Sequence, residues 1–138
     1  MAVVLDTSLI VAAMSRSDRR HAAAARWLEA IDDELVTSPL ALAEMDYWAH
    51  ELGGAELCRT LWRDFESGAY AVRWWADALG ESVAIARRHP HLGLTDASLV
   101  ALAARLRTTR IATFDLRLFR ALTTTDGEPF IVLPADSP

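Results

Sequence analysis

The chain has 138 residues, of which 52% are hydrophobic and 24% charged, and it carries a formal net charge of −5 at pH 7. This length and composition predict one folded domain over residues 1–138 and exclude a disordered chain. The negative charge excludes a broad positive field, so any contact with nucleic acid must be local.

No segment approaches the roughly 18–20 consecutive apolar residues of a membrane span, and the N-terminus lacks the basic region of a signal peptide. The single cysteine, Cys58, excludes an internal disulfide and favours a small, buried helical side chain. We therefore expect a cytoplasmic protein that makes no contact with membranes.

Short strands alternate with helices along the first half of the chain. The predicted elements there are a strand at Ala2–Leu5, a helix at Leu9–Met14 capped by Thr7 or Ser8, an alanine-rich helix capped by Ser17 or Asp18, a strand at Leu35–Thr37, a helix at Leu40–Leu52 with Ser38 as cap, and a helix at Ala55–Ser67. Gly53–Gly54 and Gly68 are expected to end the last two helices, since glycine readily adopts the left-handed conformation that follows a helix.

The second half of the chain continues the same alternation. Its predicted elements are a strand at Tyr70–Val72, a helix at Trp74–His89, a helix at Asp96–Arg107 capped by Thr95, a strand at Arg110–Phe114, a helix at Leu116–Leu122 and a strand at Pro129–Leu133. Strands that alternate with helices predict an α/β fold with a short, mostly parallel central sheet and helices on both faces.

Two acidic residues come directly after predicted strands. Asp6 follows the first strand, and Asp115 follows the strand Arg110–Phe114. The carboxyl ends of parallel strands meet at one edge of a sheet, and α/β proteins bind their ligands there. Each carboxylate could instead cap the helix that comes after it. Both a shared site and helix capping are therefore open for Asp6 and Asp115.

Glu44 is predicted on the core side of its helix. At about 100° per residue it lies in the arc of Leu40, Tyr47 and Trp48, which we expect to face the core, whereas Asp46 lies on the opposite side. A carboxylate that faces the core needs a cationic partner, and the helix Leu40–Leu52 contains no arginine or lysine. Glu44 is therefore a candidate ligand for a cation bound by several segments.

Asp96 has a similar predicted position. It shares an arc with Leu99 and Val100, while Ser98 is expected on the opposite, polar side of the helix. With Thr95 as the cap, Asp96 falls in the first helical turn, where the helix dipole also favours a carboxylate. This position is compatible both with a dipole role and with a shared site.

Four carboxylates that converge repel one another and raise one another's pKa values, so such a cluster requires a bound cation. Ligands that are all oxygen atoms favour Mg²⁺ or Mn²⁺, and no pair of histidines has the spacing of zinc ligands on a helix. The expected metal ligands are Asp6, Glu44, Asp96 and Asp115.

The order of four motifs, LDTSLI, LALAEM, LTDASLVALA and ATFDLRLF, resembles the PIN domain, in particular the small VapC-like toxins of bacterial toxin–antitoxin pairs. The resemblance covers essentially the whole chain. It implies a three-layer α/β/α sandwich and a metal-dependent endoribonuclease that uses Mg²⁺ or Mn²⁺. By residue-to-residue match, Asp6, Glu44 and Asp96 would be the near-invariant catalytic acids, and Asp115 the more variable fourth.

The same resemblance implies roles for three hydroxyl groups. Thr113 matches a position where the family usually has Thr or Ser, and Thr7 or Ser8 matches the hydroxyl beside the first acid. These hydroxyls are expected to orient the carboxylates or a metal-bound water. With water as the nucleophile, the expected products carry a 5′-phosphate and a 3′-hydroxyl.

The family resemblance also implies partners. They are an RNA substrate, a VapB-like antitoxin that covers the acidic groove, a second copy of the chain in a homodimer, and a toxin–antitoxin hetero-oligomer. Four arginines are either contacts for the RNA backbone or solvated residues at helix ends: Arg16, Arg19, Arg20 and Arg117. The five tryptophans are expected mostly in the core, with a subunit interface as the alternative.

Other folds that gather acids at strand ends fit the sequence less well. A haloacid-dehalogenase-type phosphatase would have a second aspartate two residues after the first, where this chain has Ser8, and a receiver domain would have a lysine, which is absent from the chain. The alternative function is a catalytically weak PIN module that acts mainly as an RNA- or protein-binding domain.

Overall fold

The computed structural model describes residues 1–137 and follows the predicted alternation of strands and helices. The strands are β1 (Ala2–Leu5), β2 (Glu34–Thr37), β3 (Ala71–Val72), β4 (Arg110–Ala112) and β5 (Ile131–Leu133). The helices are α1 (Thr7–Met14), α2 (His21–Ala30), α3 (Pro39–Glu66), α4 (Ala78–Arg88), α5 (Leu94–Leu106) and α6 (Leu116–Arg120).

The five strands pair in parallel in one sheet of order β3-β2-β1-β4-β5. β1 lies at the centre, where Val4 pairs with Val36 on one side and with Ile111 on the other. The chain runs from β1 outward to β3 and then returns to the other side of β1, so the strand order reverses between β1 and β4. In α/β sheets, the carboxyl ends of the strands at such a reversal form a ligand-binding crevice.

Helices cover both faces of this sheet. Val3, Val4 and Leu5 are all fully buried, although successive residues of a strand point to opposite faces. A parallel strand that is buried on both faces is typically a continuous apolar run, as β1 is. The predicted α/β sandwich with a short parallel central sheet is confirmed.

Four helices, α1, α2, α4 and α5, begin at residues other than those predicted. α1 begins at Thr7, so Thr7 and Ser8 lie inside the helix, and neither caps it. α5 begins at Leu94 after Gly93, which places Thr95 in the first turn instead of at the cap. The hydroxyls of Thr7 and Ser8 form hydrogen bonds with the Glu44 and Asp6 side chains, and Thr95 lies inside α5. None of the three therefore caps a helix, although the sequence pattern favours capping.

The start of α2 also differs from the prediction. α2 begins at His21 with Arg20 at its N-cap position, and Ser17 and Asp18 lie before it. The Asp18 carboxylate accepts a hydrogen bond of 2.8 Å from the backbone N–H of Arg20 and so stabilises the turn before the helix. α4 likewise begins at Ala78, not at Trp74.

The long helix α3 contains the two helices predicted at Leu40–Leu52 and Ala55–Ser67. Gly54 divides it, with φ 62° and ψ −154°, a conformation that essentially only glycine adopts. At the start of α3 the Ser38 hydroxyl accepts a hydrogen bond of 3.2 Å from the N–H of Ala41, so the predicted cap is confirmed.

The C-terminal elements are shorter than predicted. β4 ends at Ala112, because the Thr113 hydroxyl accepts a hydrogen bond of 2.9 Å from the N–H of Asp115 and turns the chain. α6 ends at Arg120 and β5 begins at Ile131.

The expectation that most tryptophans lie in the core is wrong. Trp27 is buried, but Trp48, Trp62 and Trp74 are 44%, 49% and 40% exposed. Cys58 is buried, as predicted. None of the helices within residues 1–137 is long and apolar enough to span a membrane.

Candidate metal centre

Asp6 lies at the carboxyl end of the central strand, where the order of the sheet reverses. Its backbone N–H donates a hydrogen bond of 3.0 Å to the carbonyl of Ala112 in the neighbouring strand β4. The side chain is 6% exposed, so the carboxylate is held inside the fold next to the turn that follows β4. The predicted meeting of the ends of β1 and β4 is therefore present.

Two hydroxyls hold the Asp6 carboxylate. The Oδ2 atom accepts hydrogen bonds of 2.6 Å from Thr113 and 2.8 Å from Ser8. Burial raises the pKa of Asp6, and the charge of Asp115 adds to this effect, while hydrogen bonds from Thr113, Ser8 and the backbone of Thr7 oppose it. The dominance of burial means that the ionised carboxylate is costly in the metal-free protein.

Ser8 and Thr113 also shape the loop that carries the fourth acid. The hydroxyl of Ser8 accepts a hydrogen bond of 2.9 Å from the N–H of Phe114, and the hydroxyl of Thr113 accepts one of 2.9 Å from the N–H of Asp115. The two hydroxyl oxygens are 3.1 Å apart. Ser8 and Thr113 thus connect the first carboxylate to the backbone that positions the fourth.

Glu44 lies near the start of α3 and is exposed, contrary to the prediction that it faces the core. The buried stripe of α3 is formed by Ala41, Met45 and Ala49, whereas Tyr47, on the predicted core arc, is 58% exposed. Small side chains allow α3 to approach its neighbours closely, and this closeness decides which face packs. Glu44 still reaches the site from the edge of this face.

Thr7 joins Glu44 to the end of the central strand. Its hydroxyl donates a hydrogen bond of 2.7 Å to Oε1 of Glu44 and lies 3.4 Å from the carbonyl of Ala41. Thr7 is buried, and it comes directly after Asp6. The first and second acids are therefore held by neighbouring residues of one segment.

Asp96 lies in the first turn of α5 and is half-buried. Its pKa is raised to about 6, first by burial and then by the negative charges of Asp6, Glu44 and Asp115. Because these three carboxylates act on Asp96 from other segments, all four acids belong to one electrostatically coupled cluster. The dipole of α5 also favours a carboxylate at this position.

A pair of buried serines connects the helices that carry Glu44 and Asp96, and sequence reasoning missed this pair. The hydroxyls of Ser38 and Ser98 are 2.7 Å apart, and both residues are fully buried. Ser98 also donates a hydrogen bond of 2.6 Å to the carbonyl of Thr95. The prediction that Ser98 faces solvent is wrong, because α5 is packed on all sides at this level. The sequence does contain a signal for this pair, because Ser98 is a polar residue within an otherwise apolar part of the helix.

Asp115 is exposed and contacts the helix that follows it. Its Oδ1 atom accepts a hydrogen bond of 3.4 Å from the N–H of Leu118, so the carboxylate caps α6. It also contributes to the raised pKa values of Asp6 and Asp96. The capping role and membership of the acidic cluster, which the sequence left as alternatives, occur together.

The donor set fits a hard divalent cation. All four side chains offer carboxylate oxygens, and none of them takes part in an ion pair within residues 1–137. No three Asp, Glu, His or Cys side chains of the described residues already stand close enough to hold a metal ion. A cation would draw the carboxylates together by side-chain rotation, which the exposed Glu44 and Asp115 can readily make.

The four candidate arginines, which the sequence leaves as RNA contacts or solvated residues at helix ends, do not form one cluster around the acids. Arg20 packs its guanidinium 4.9 Å from the centre of the Phe114 ring and pairs with Asp18 at 3.3 Å. Arg117 is exposed on α6, two residues after Asp115. Arg16 lines a separate cavity between α1, α2 and α3, and Arg19 is exposed. Arg20 and Arg117 are thus the two that flank the acidic cluster.

Comparison with known proteins gives one family and a consistent fold. A family model for the PIN domain matches residues 3–123. The chain is 31% identical over 135 residues to Ribonuclease VapC26 of Mycobacterium tuberculosis, a match that covers 96% of this chain and 100% of that protein.

Three solved structures share the fold. VapC20 of Mycobacterium tuberculosis, described as a sarcin–ricin loop cleaving toxin, has a TM-score of 0.75 at 22% identity and covers 82% of this chain and 89% of its own. VapBC2 of Rickettsia felis, bound to a DNA fragment from its promoter, has a TM-score of 0.66 at 16% identity. The match covers 96% of this chain and 97% of that one. FitAcB of Neisseria gonorrhoeae has a TM-score of 0.60 at 17% identity, with 96% of each chain covered.

Proposed function

The chain belongs to the PIN domain family, and on that basis we propose that it is a metal-dependent endoribonuclease and the toxin of a toxin–antitoxin pair. The observation that carries the proposal is the set of hydroxyl contacts that brings the acids to one place: Thr113 and Ser8 hold Asp6, Thr113 also binds the N–H of Asp115, and Thr7 holds Glu44. The negative charges of these three acids also raise the pKa of Asp96, after burial. Asp6 is buried and Asp96 half-buried, and like charges that act on such groups destabilise a fold unless a cation binds them. We propose that the cation is Mg²⁺ or Mn²⁺.

The proposed ligands are Asp6, Glu44, Asp96 and Asp115. Asp6 is the most buried of the four, and its Oδ2 atom accepts two hydrogen bonds that fix its orientation. When bound, Mg²⁺ or Mn²⁺ lowers the pKa of a water molecule and neutralises charge on the scissile phosphate. The chain supplies the orientation: Thr113 and Ser8 orient Asp6, and Thr7 orients Glu44.

Cleavage of purified cellular RNA tests the nuclease activity. We expect the wild-type chain to cleave RNA with Mg²⁺ or Mn²⁺ and not with EDTA, and we expect Asp6→Asn and Asp96→Asn to abolish cleavage while remaining folded. Asp32→Asn is the matched control, since it removes one exposed carboxylate just before β2. Cleavage that is equal in EDTA would contradict metal dependence, and products with a 2′,3′-cyclic phosphate would contradict attack by water.

The binding-module alternative is decided by the same assay. A chain that binds RNA with the affinity of a specific complex but leaves it intact under every metal condition would be a binding domain. The presence of all four acids favours the nuclease over the binding module. Carboxylates repel RNA, so a domain that only binds RNA would do so better with Asn or Ala at these positions.

We also propose a VapB-like antitoxin and a homodimer as partners, on the basis of family membership. Tyr47, Trp48 and Trp62 leave an exposed aromatic surface on α3 that suits a protein contact. Co-purification with the product of the neighbouring reading frame, and suppression of cleavage by it, tests the antitoxin. Light scattering of the purified chain tests the dimer, which predicts twice the mass of 15.2 kDa.

A further inference from the structure

A cleft lined by three arginines lies between α4, α5 and the segment 123–128. Its cavity of about 470 Å³ is bordered by Arg88 of α4, Arg105 of α5, Arg107 just after α5, and Thr125. Two adjoining cavities of about 180 Å³ and 560 Å³ also include Thr125, and they share Arg88 and Arg107, respectively, with the first. We refer to Arg88, Arg105, Arg107 and Thr125 as the arginine cleft.

The guanidinium groups of the cleft have no acidic partner among the described residues. Within residues 1–137, the arginines that form ion pairs are Arg20, Arg73, Arg110 and Arg120. None of these lines the cleft. Three unpaired positive charges at one concave surface are unusual in a chain whose net charge is −5.

Of the described residues, one acidic side chain, Glu81, borders the 470 Å³ cavity, and it forms no ion pair with the arginines there. The Oε2 atom of Glu81 accepts a hydrogen bond of 2.7 Å from the indole N–H of Trp75. The guanidinium of Arg105 lies 5.5 Å from the centre of the Trp75 ring, which holds it by a cation–π interaction. Trp75 therefore restrains both Glu81 and Arg105. The three arginines outnumber the single carboxylate at this cavity, so its net charge is positive.

Arg107 occupies a position that usually holds glycine. It follows α5 with φ 54° and ψ 45°, the left-handed conformation in which a Cβ atom is strained. A glycine or asparagine here would end the helix with less strain, so the backbone does not explain an arginine. Its guanidinium, which borders two of the three cavities, offers a reason.

We propose that the arginine cleft binds backbone phosphates of the RNA substrate at a distance from the point of cleavage; this inference rests on the proposed ribonuclease function. Arginine forks match the geometry of phosphate oxygens, and the Thr125 hydroxyl adds a further donor. The four carboxylates at the other end of α5 repel RNA, so attraction has to come from elsewhere on the surface.

The position of the cleft defines its role. Arg105 follows Asp96 by nine positions on α5, which corresponds to about 14 Å along the helix axis and, at about 100° per residue, to the opposite side of the helix. The cleft therefore lies too far away to contact the scissile phosphate and would hold a part of the RNA several phosphates away. Asp126 and Glu128 border the cavity beyond Arg107, so we expect the RNA contact to end at Arg107.

Binding of a fluorescein-labelled oligouridine of 30 nucleotides, measured by anisotropy in EDTA, tests the cleft without cleavage. We expect the R88Q/R105Q/R107Q variant to bind at least about tenfold more weakly than the wild type at low salt. Its plot of log K against log salt should be less steep by about 2, because single strands contribute about 0.7 per phosphate contact and three contacts are removed.

The matched control is R26Q/R59Q/R63Q, which removes the same charge from exposed arginines of α2 and α3. We expect this control to retain most of the affinity and the full salt slope. An equal loss in both variants would overturn the proposal, since net charge alone would then explain the effect. Unchanged binding by the cleft variant, or no measurable binding by the wild type, would overturn it as well.

A second variant separates RNA binding from folding. Arg107→Gly removes a phosphate contact and relieves the left-handed strain, so we expect weaker oligouridine binding together with a higher unfolding midpoint. Unchanged or tighter binding by Arg107→Gly would count against the cleft. The proposed ribonuclease activity is judged separately, by Mg²⁺-dependent cleavage of cellular RNA by the wild-type chain, and it can hold or fail independently of the cleft.

Discussion

Thr113 donates a hydrogen bond of 2.6 Å to the Asp6 carboxylate, although the two residues are 107 positions apart in the chain. The contact spans the ends of the neighbouring strands β1 and β4. Thr113 is fully buried and Asp6 nearly so, which makes the contact strong and fixed in direction. The orientation of the first acid therefore depends on a residue from the last third of the chain.

Replacing Thr113 with valine keeps the shape of the side chain and removes this hydrogen bond. We expect Mn²⁺ affinity, measured by calorimetry, and RNA cleavage to fall by about 10- to 100-fold, because residues that orient metal ligands have effects of this size. The control is Thr108→Val: the Thr108 hydroxyl donates a hydrogen bond of 2.8 Å to the carbonyl of Ala2 at the opposite end of the sheet. An equal loss of metal affinity in both variants would contradict an orienting role for Thr113.

Glu44→Gln tests a ligand at the exposed rim of the site. Because Glu44 is exposed, we expect the free energy of unfolding in EDTA to change by less than about 0.5 kcal/mol. Mn²⁺ affinity should fall at least about tenfold, since the amide removes a negative charge from the donor set. The control is Asp46→Asn: Asp46 lies on the same helix and accepts a hydrogen bond from the indole N–H of Trp62, so this variant should leave Mn²⁺ affinity unchanged. Full Mn²⁺ affinity in Glu44→Gln would exclude Glu44 as a ligand.

Asp96→Asn should stabilise the metal-free protein at pH 8. The pKa of Asp96 is raised to about 6, so ionising it in the folded state is unfavourable, and stability is lost as pH rises from about 4 to about 6. The shift from 3.8 corresponds to a ceiling of about 3 kcal/mol, which partial exposure to solvent reduces to on the order of 1 kcal/mol.

Urea unfolding in EDTA measures this effect for Asp96→Asn and for the charge-matched control Asp32→Asn. We expect a gain for Asp96→Asn at pH 8, little gain at pH 4, and little change for the control at either pH. Addition of Mg²⁺ should stabilise the wild type more than Asp96→Asn, because the cation binds the ionised carboxylate. A variant that is less stable than the wild type at pH 8 would show that Asp96 is not under electrostatic stress.

Gly54 and Gly80 should respond to alanine in opposite directions. Gly54 divides α3 with φ +62°, so Gly54→Ala should destabilise the protein by about 1–3 kcal/mol. Gly80 lies inside α4 with open space around it, so Gly80→Ala should stabilise the protein by about 0.5–1 kcal/mol. Urea unfolding of the two variants decides this, and a loss of stability in both would contradict the conformational explanation.

The local pattern of the sequence determined most of the secondary structure and the positions of two acids. Asp6 directly follows the apolar strand β1, and Asp115 lies three residues after the end of β4; strand ends in a parallel sheet share an edge whatever the details of packing. Gly54 and Ser38 acted as local signals at the ends of the first part of α3. These features depend on backbone conformation and near neighbours, which a short stretch of sequence contains.

The packed face of α3 was decided by tertiary structure. Helical periodicity favoured the aromatic arc with Tyr47 and Trp48 as the core side, but Met45 between small residues is the side that packs. Periodicity gives the angle between residues and not the direction of the neighbouring element. The shape of the neighbouring elements determines which face of α3 packs against them.

The sequence by itself thus determined the alternation of elements, the parallel sheet and the family. Only the tertiary structure decided how the acids are held, through contacts of Thr113 with Asp6, Thr7 with Glu44 and Ser38 with Ser98. It also brought Arg88 and Arg107 to one cleft. The physical reason is that hydrogen bonds and charge clusters act between atoms close in space, and folding alone brings together residues that lie far apart in the chain.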